Sequence, residues 1–92
     1  MRFIWDETKR KSNLAKHGYD FADVACVFAG EVFRRGDDRY DYGEQRMIAI
    51  GLLENVTVMV VHVESDDTIR IISMRRADKH ETKIFFNYIA SI

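Results

Sequence analysis

Proline is absent from the chain and cysteine occurs once, at Cys26. A single cysteine excludes an intrachain disulfide and fits a reducing compartment. Its place in the apolar run "FADVACVFA" predicts a buried structural thiol. No apolar stretch approaches the ~20 residues of a membrane-spanning helix, and the first residues lack the charge, apolar run and small-residue site of a signal peptide. The expected location is therefore the cytoplasm, with no membrane partner. The five glycines form no glycine-rich phosphate loop, and neither a nucleophile elbow nor a Cys-His arrangement occurs. "HET" at His80 is not the start of an HExxH motif, because position 84 is isoleucine. With one cysteine and three scattered histidines, no zinc site is expected and no cofactor is called for.

What is present is the composition of a soluble globular domain: 47% apolar and 32% charged residues over 92 positions. That length holds one domain, residues 1–92, without repeats or low-complexity tracts. The net charge of −1 selects no partner, but its distribution does. Residues 1–18 carry five basic and two acidic side chains, residues 19–45 three and seven, and the part from Asp67 onward five and three. Two basic segments that meet in space would form a phosphate-binding surface on a slightly acidic protein.

"RFIW" reads as a first strand, followed by a helix from an Asp6 cap to His17, ended by Gly18. Only Leu14 and Ala15 are apolar within that helix, so Lys9, Arg10, Lys11, Lys16 and His17 face solvent or a partner. Asp20 caps a second helix with Phe21, Val24, Ala25 and Phe28 on one stripe. "EVFRR" is a strand, "GDDRYDYGE" a polar turn or loop, and "QRMIAIGLL", "VTVMVVHVE" and "TIRIISMRR" are three strands joined by hairpin-length connections. A last helix opens on a capping box, Asp78 and Glu81, with Ile84, Phe85, Tyr88, Ile89 and Ile92 along one face. The order β-α-α-β-β-β-β-α predicts an α+β fold, helices packed on a small antiparallel meander.

The last strand holds Arg70, Arg75 and Arg76, and a guanidinium in a strand has to reach water, a carboxylate or a ligand. Simple alternation sends Arg70, Ile72, Met74 and Arg76 to one face and Ile69, Ile71, Ser73 and Arg75 to the other. Glu44 and Arg46 lie at the start of the neighbouring strand. Two readings stay open: a structural ion pair between Glu44 and an arginine, or an arginine-rich phosphate site with a carboxylate beside it. His17, next to Lys16 at a helix end, is the histidine best placed for proton transfer, whereas His62 reads as a satisfied sheet residue and His80 as a solvated one.

The run "FIWDETKRKSNLAKHGYDFADVACVF" resembles the N-terminal signature of the BrnT family, through Trp5, Asp6, Lys9, Asn13, Lys16, His17 and Gly18. "EQRMIAIG" is similar to that family's E-x-R followed by glycine, and "IRIISMRRA" to its R-I-I-S-x-R-x-A. The resemblance implies a RelE-like ribonuclease toxin of a type II toxin-antitoxin system, which cuts RNA without a metal and inhibits translation. It also implies a BrnA-like ribbon-helix-helix antitoxin, through which alone the complex reaches operator DNA. Carried over by motif, the catalytic candidates are His17, Glu44, Arg46, Arg70, Arg75 and Arg76. Lys9 and Lys16 would contact phosphate, and Trp5 would stack on a base or serve the core. The competing expectations are a module that holds nucleic acid or an acidic protein without cutting, and an inactive toxin acting only in a repressor complex.

Overall fold

The computed structural model describes residues 1–92. Strand β1 (Arg2–Trp5) leads into helix α1 (Glu7–His17), a 3-10 turn (Phe21–Asp23) and the short helix α2 (Val24–Ala29). Strands β2 (Phe33–Gly36), β3 (Met47–Leu53), β4 (Val56–Glu64) and β5 (Thr68–Arg76) follow, then helix α3 (Lys79–Ser91). The five strands form one sheet in the order β1-β5-β4-β3-β2. Strands β3 to β5 are the expected antiparallel meander and β2 extends it beside β3, but β1 joins β5 in parallel, Arg2 opposite Thr68 and Trp5 opposite Ile71. The sheet is therefore mixed, because β2 fills one edge and β1 enters beside Asp67, whose carbonyl accepts from the Arg2 N–H at 2.8 Å. No helix is long and apolar enough to cross a membrane.

Capping side chains set the helix limits. Asp6 accepts from the Lys9 N–H at 3.1 Å, and Gly18 ends α1 at φ +79°, a conformation that costs an L side chain roughly 1–2 kcal/mol. Asp78 and Glu81 complete their capping box on α3. Asp20 does cap, but what it caps is the 3-10 turn. That turn has three residues per repeat, so the buried stripe runs Phe21, Val24, Val27, while Ala25 is exposed and Phe28 half-buried. The same offset turns Cys26 outward, so the thiol expected in the core is exposed. On α3, Phe85 is buried and Ile84, Tyr88 and Ile89 are half-buried, but Ile92 lies past the end of the packed face and is exposed.

Each face of the sheet has its own core. Phe21, Val24, Val27, Val58, Val60, Ile69, Ile71 and Met74 fill the side covered by α2, with Phe3 and Trp5 packed against them. Ile48, Ile50, Met59, Val61 and Phe85 fill the side covered by α3. Gly51 permits the first of these layers to close, since a Cβ there would stand 2.8 Å from Val32 Cγ1 and 3.0 Å from Val27 Cγ1. Helix α3 lies over β2 and β3, which leaves the β1 and β5 part of that face open, Ile4 and Arg70 included.

Candidate functional site

Strand β5 does not keep period two. Val61 of β4 faces Ser73 and His62 faces Ile71, so Ile72 is an extra, unpaired residue in a β-bulge. The bulge resets the alternation expected from sequence. Arg70 lies opposite Val63 and Arg75 opposite Met59, so both point to the α3 side, while Met74 and Arg76 fall with Val60 and Val58 on the other. A face holding Arg70, Ile72 and Arg75 replaces the set of Arg70, Ile72, Met74 and Arg76.

The two arginines have different surroundings. Arg70 donates from Nη2 to Glu44 Oε1 at 2.6 Å, and Arg46 donates from Nε to the other oxygen, Oε2, at 3.0 Å. One carboxylate thus holds two guanidiniums, each using one of its five N–H donors and leaving the rest open. The Arg46 hydrogen bond, opposed by burial and aided by the Arg70 charge, keeps the Glu44 carboxyl below its ordinary value. Arg75 is committed elsewhere. Its fork grips Glu81 at 2.8 Å on both oxygens, and Glu81 Oε1 also accepts from the Asp78 N–H at 2.9 Å, tying β5 to the start of α3. Arg76 is exposed and lends its carbonyl to Arg75 Nη1.

Helix α1 lies along the part of the β5 edge that β1 leaves uncovered. Asn13, 7% exposed, donates to the Met74 carbonyl at 2.7 Å and accepts from the Met74 N–H at 3.1 Å, standing in for the missing strand. A third bond, to the Tyr19 carbonyl, fixes the amide's orientation. This seating creates a shallow groove of about 200 Å³ lined by Lys9, Lys16 and His17 from the helix and Ile72 and Ser73 from the bulge. Because Ile72 shares the face of Arg70, the groove and the Glu44 array are neighbours along one strand. Arg10, expected to face solvent or a partner, is half-buried against Asp20, 3.1 Å from its Oδ2.

A family model described as "Ribonuclease toxin, BrnT, of type II toxin-antitoxin system" matches residues 5–81. The chain belongs to the BrnT family. No curated protein matches it. For a BrnT chain, an antitoxin partner and an RNA target follow from the family itself.

Within this BrnT fold the sequence-derived residues fall into three places. Glu44, Arg46 and Arg70 meet; Lys9, Lys16 and His17 share the adjoining groove; Arg75 and Arg76 sit at the far end of β5. Trp5 packs its ring edge-on against Phe21, centroids 6.4 Å apart, and donates from Nε1 to Glu7. His62 is fully buried, with Nε2 2.9 Å from Glu64 Oε1 and Nδ1 toward the Val60 carbonyl, as a satisfied sheet residue should be. Glu44 and Arg46, expected at the start of a strand, lie in the loop before β3, and the rest of that loop reads in the sequence only as a polar turn. There Arg46 stacks over the Tyr42 ring, 4.1 Å from its centroid, and Tyr40 meets Tyr42 edge-on at 5.8 Å. The two tyrosines so close to "EQR" were the available signal.

Proposed function

We propose that this BrnT chain is a metal-independent endoribonuclease on a RelE-like fold whose scissile phosphate sits on Arg70 and Arg46, with Glu44 holding both guanidiniums in place. The observation that carries this reading is the single carboxylate bridging two half-exposed arginines on the one part of the sheet that α3 leaves open. Glu44, kept ionised by its two partners, is a poor proton acceptor and a good clamp. His17, in the adjoining groove, is the group for the proton at the 2′-oxygen, and Lys9 and Lys16 take flanking phosphates.

In this reaction the 2′-oxygen attacks phosphorus as its proton passes to a base, and the 5′-oxygen leaves with a proton from an acid. A 2′,3′-cyclic phosphate and a 5′-hydroxyl result. Negative charge builds on the non-bridging oxygens, where planar guanidinium forks bind it. Arg75, whose fork is taken by Glu81, acts as a positioning residue for β5 and α3, and Arg76 lies outside the array. The substrate places the protein's work in the cytoplasm, where cutting RNA arrests translation. A BrnA-like ribbon-helix-helix antitoxin would neutralise it and carry the complex to operator DNA.

The test is cleavage of a defined RNA in excess EDTA by the parent and by Arg70→Ala. The parent is expected to cut, and the variant to lose on the order of 100-fold in rate. Arg46 still holds Glu44 in the variant, so stability should change by less than about 1 kcal/mol. Equal cleavage by both preparations, or cleavage that returns only with a divalent cation, overturns the proposal.

A further inference from the structure

The cavity beside the Glu44 array belongs to the 37–46 loop and is about 520 Å³, room for one planar base. The loop is braced by its own hydrogen bonds. Its ends are joined by the Asp37 N–H donating to the Arg46 carbonyl at 2.8 Å. The Arg39 guanidinium grips buried Asp37 at 2.7 and 2.8 Å, and Gly43, at φ +71°, donates its N–H to Asp41 Oδ1 at 3.0 Å. On this frame Tyr40 is 72% exposed, an aromatic ring set open to solvent against a second ring that Arg46 covers. Exposed aromatics beside a cationic track are the usual platforms for unstacked bases.

Charge separates what enters the cavity from what stays at its rim. Asp37 is neutralised by Arg39, and Glu44 by Arg46 and Arg70, which leaves Asp38 and Asp41 as the lining carboxylates without a cation. A phosphate is repelled by that interior and held by the arginines outside it; a base carrying N–H donors is drawn in. Asp41 already accepts from Gly43, whereas Asp38 is free of hydrogen bonds and can offer both oxygens. Guanine is the base whose Watson–Crick edge presents two adjacent donors, N1–H and the 2-amino group, to match one carboxylate. Adenine, cytosine and uracil each present fewer to the same acceptor.

We propose that the 37–46 loop is a guanine subsite of the RNA site, with Tyr40 as the stacking platform and Asp38 as the specificity-determining residue. The inference rests on the nuclease reading and adds the base it selects. It is tested with non-cleavable 2′-O-methyl tetranucleotides that differ only in having G, A, C or U at one position, alongside mapping of cut sites on a long RNA. The parent should bind the G oligonucleotide on the order of tenfold more tightly than the others. Asp38→Ala should abolish that preference by weakening G alone, although removing a negative charge favours every RNA electrostatically. Tyr40→Ala should weaken all four by roughly tenfold. Both side chains are exposed, so melting temperatures should match the parent. A parent that cuts or binds without regard to base overturns the subsite and leaves the nuclease reading standing. A preference for G that survives Asp38→Ala also overturns it, as do variants that bind RNA normally but escape neutralisation by the antitoxin, which would make the loop a partner face. A parent that neither binds nor cuts any RNA removes both readings.

Discussion

Asn13 satisfies two backbone groups of Met74 that would otherwise be buried without partners, because β1 stops before reaching them and α1 shields them from water. Replacing it with leucine keeps the volume and removes both of these hydrogen bonds together with the one to the Tyr19 carbonyl. An orphaned buried donor and acceptor together cost roughly 2–4 kcal/mol, so Asn13→Leu should lower the unfolding free energy measured in urea by that amount, and a variant of parental stability would show that α1 is seated by something else. At this scale the sequence was partly legible. The caps Asp6, Gly18 and Asp78 could be read because a cap is a local device, complete within four residues. The partners Asn13 to Met74, Arg10 to Asp20 and Arg75 to Glu81 differ in this respect. The first spans 61 residues and carries no local mark, and the other two could not be chosen among many equally spaced charges.

Elements differ in how they are fastened. Helix α3 is fixed at its start by Glu81, buried between the Arg75 fork and the Asp78 N–H. Burial raises the Glu81 pKa, but the Arg75 and Asp78 hydrogen bonds and the Arg75 charge lower it further, and the net result lies below the ordinary 4.5. The folded protein thus binds this proton more weakly than the unfolded chain. The resulting stability is fully present above about pH 4.5 and is lost as pH falls through the folded-state value. Glu81→Gln is expected to cost about 1–2 kcal/mol at pH 7, and the difference from the parent should shrink toward acid in parallel melts. A constant difference down to pH 3 would contradict this. The bulge at Ile72 was the main illegible feature among the elements. Period two is a property of unbroken pairing, and one unpaired residue reassigns every side chain beyond it.

For the whole molecule, a net charge of −1 conceals a sorted surface. Three of the seven acidic side chains of the middle segment are absorbed by pairing, Asp20 with Arg10, Asp37 with Arg39, Glu44 with Arg46 and Arg70. Lys9 and Lys16 stand with Arg70 and Arg46 along one track. If all four touch phosphates, log K for single-stranded RNA should fall with log salt at a slope of about −3, and Lys9→Ala with Lys16→Ala should reduce its magnitude by about 1.4. An unchanged slope would place RNA elsewhere. This segregation was readable from the sequence because charge counts need no contacts; which charges remained unpaired was decided by the fold.

The parallel pairing of β1 with β5 also sets an order of events during synthesis. The ribosome delivers Arg2–Trp5 more than sixty residues before the strand they bind, so the lysine-bearing helix that follows has no sheet edge to rest on until Met74 has been made. Translation of this toxin therefore completes the proposed RNA surface late, and a fragment that stops before Thr68 lacks both Arg70 and the strand that seats the lysines of α1.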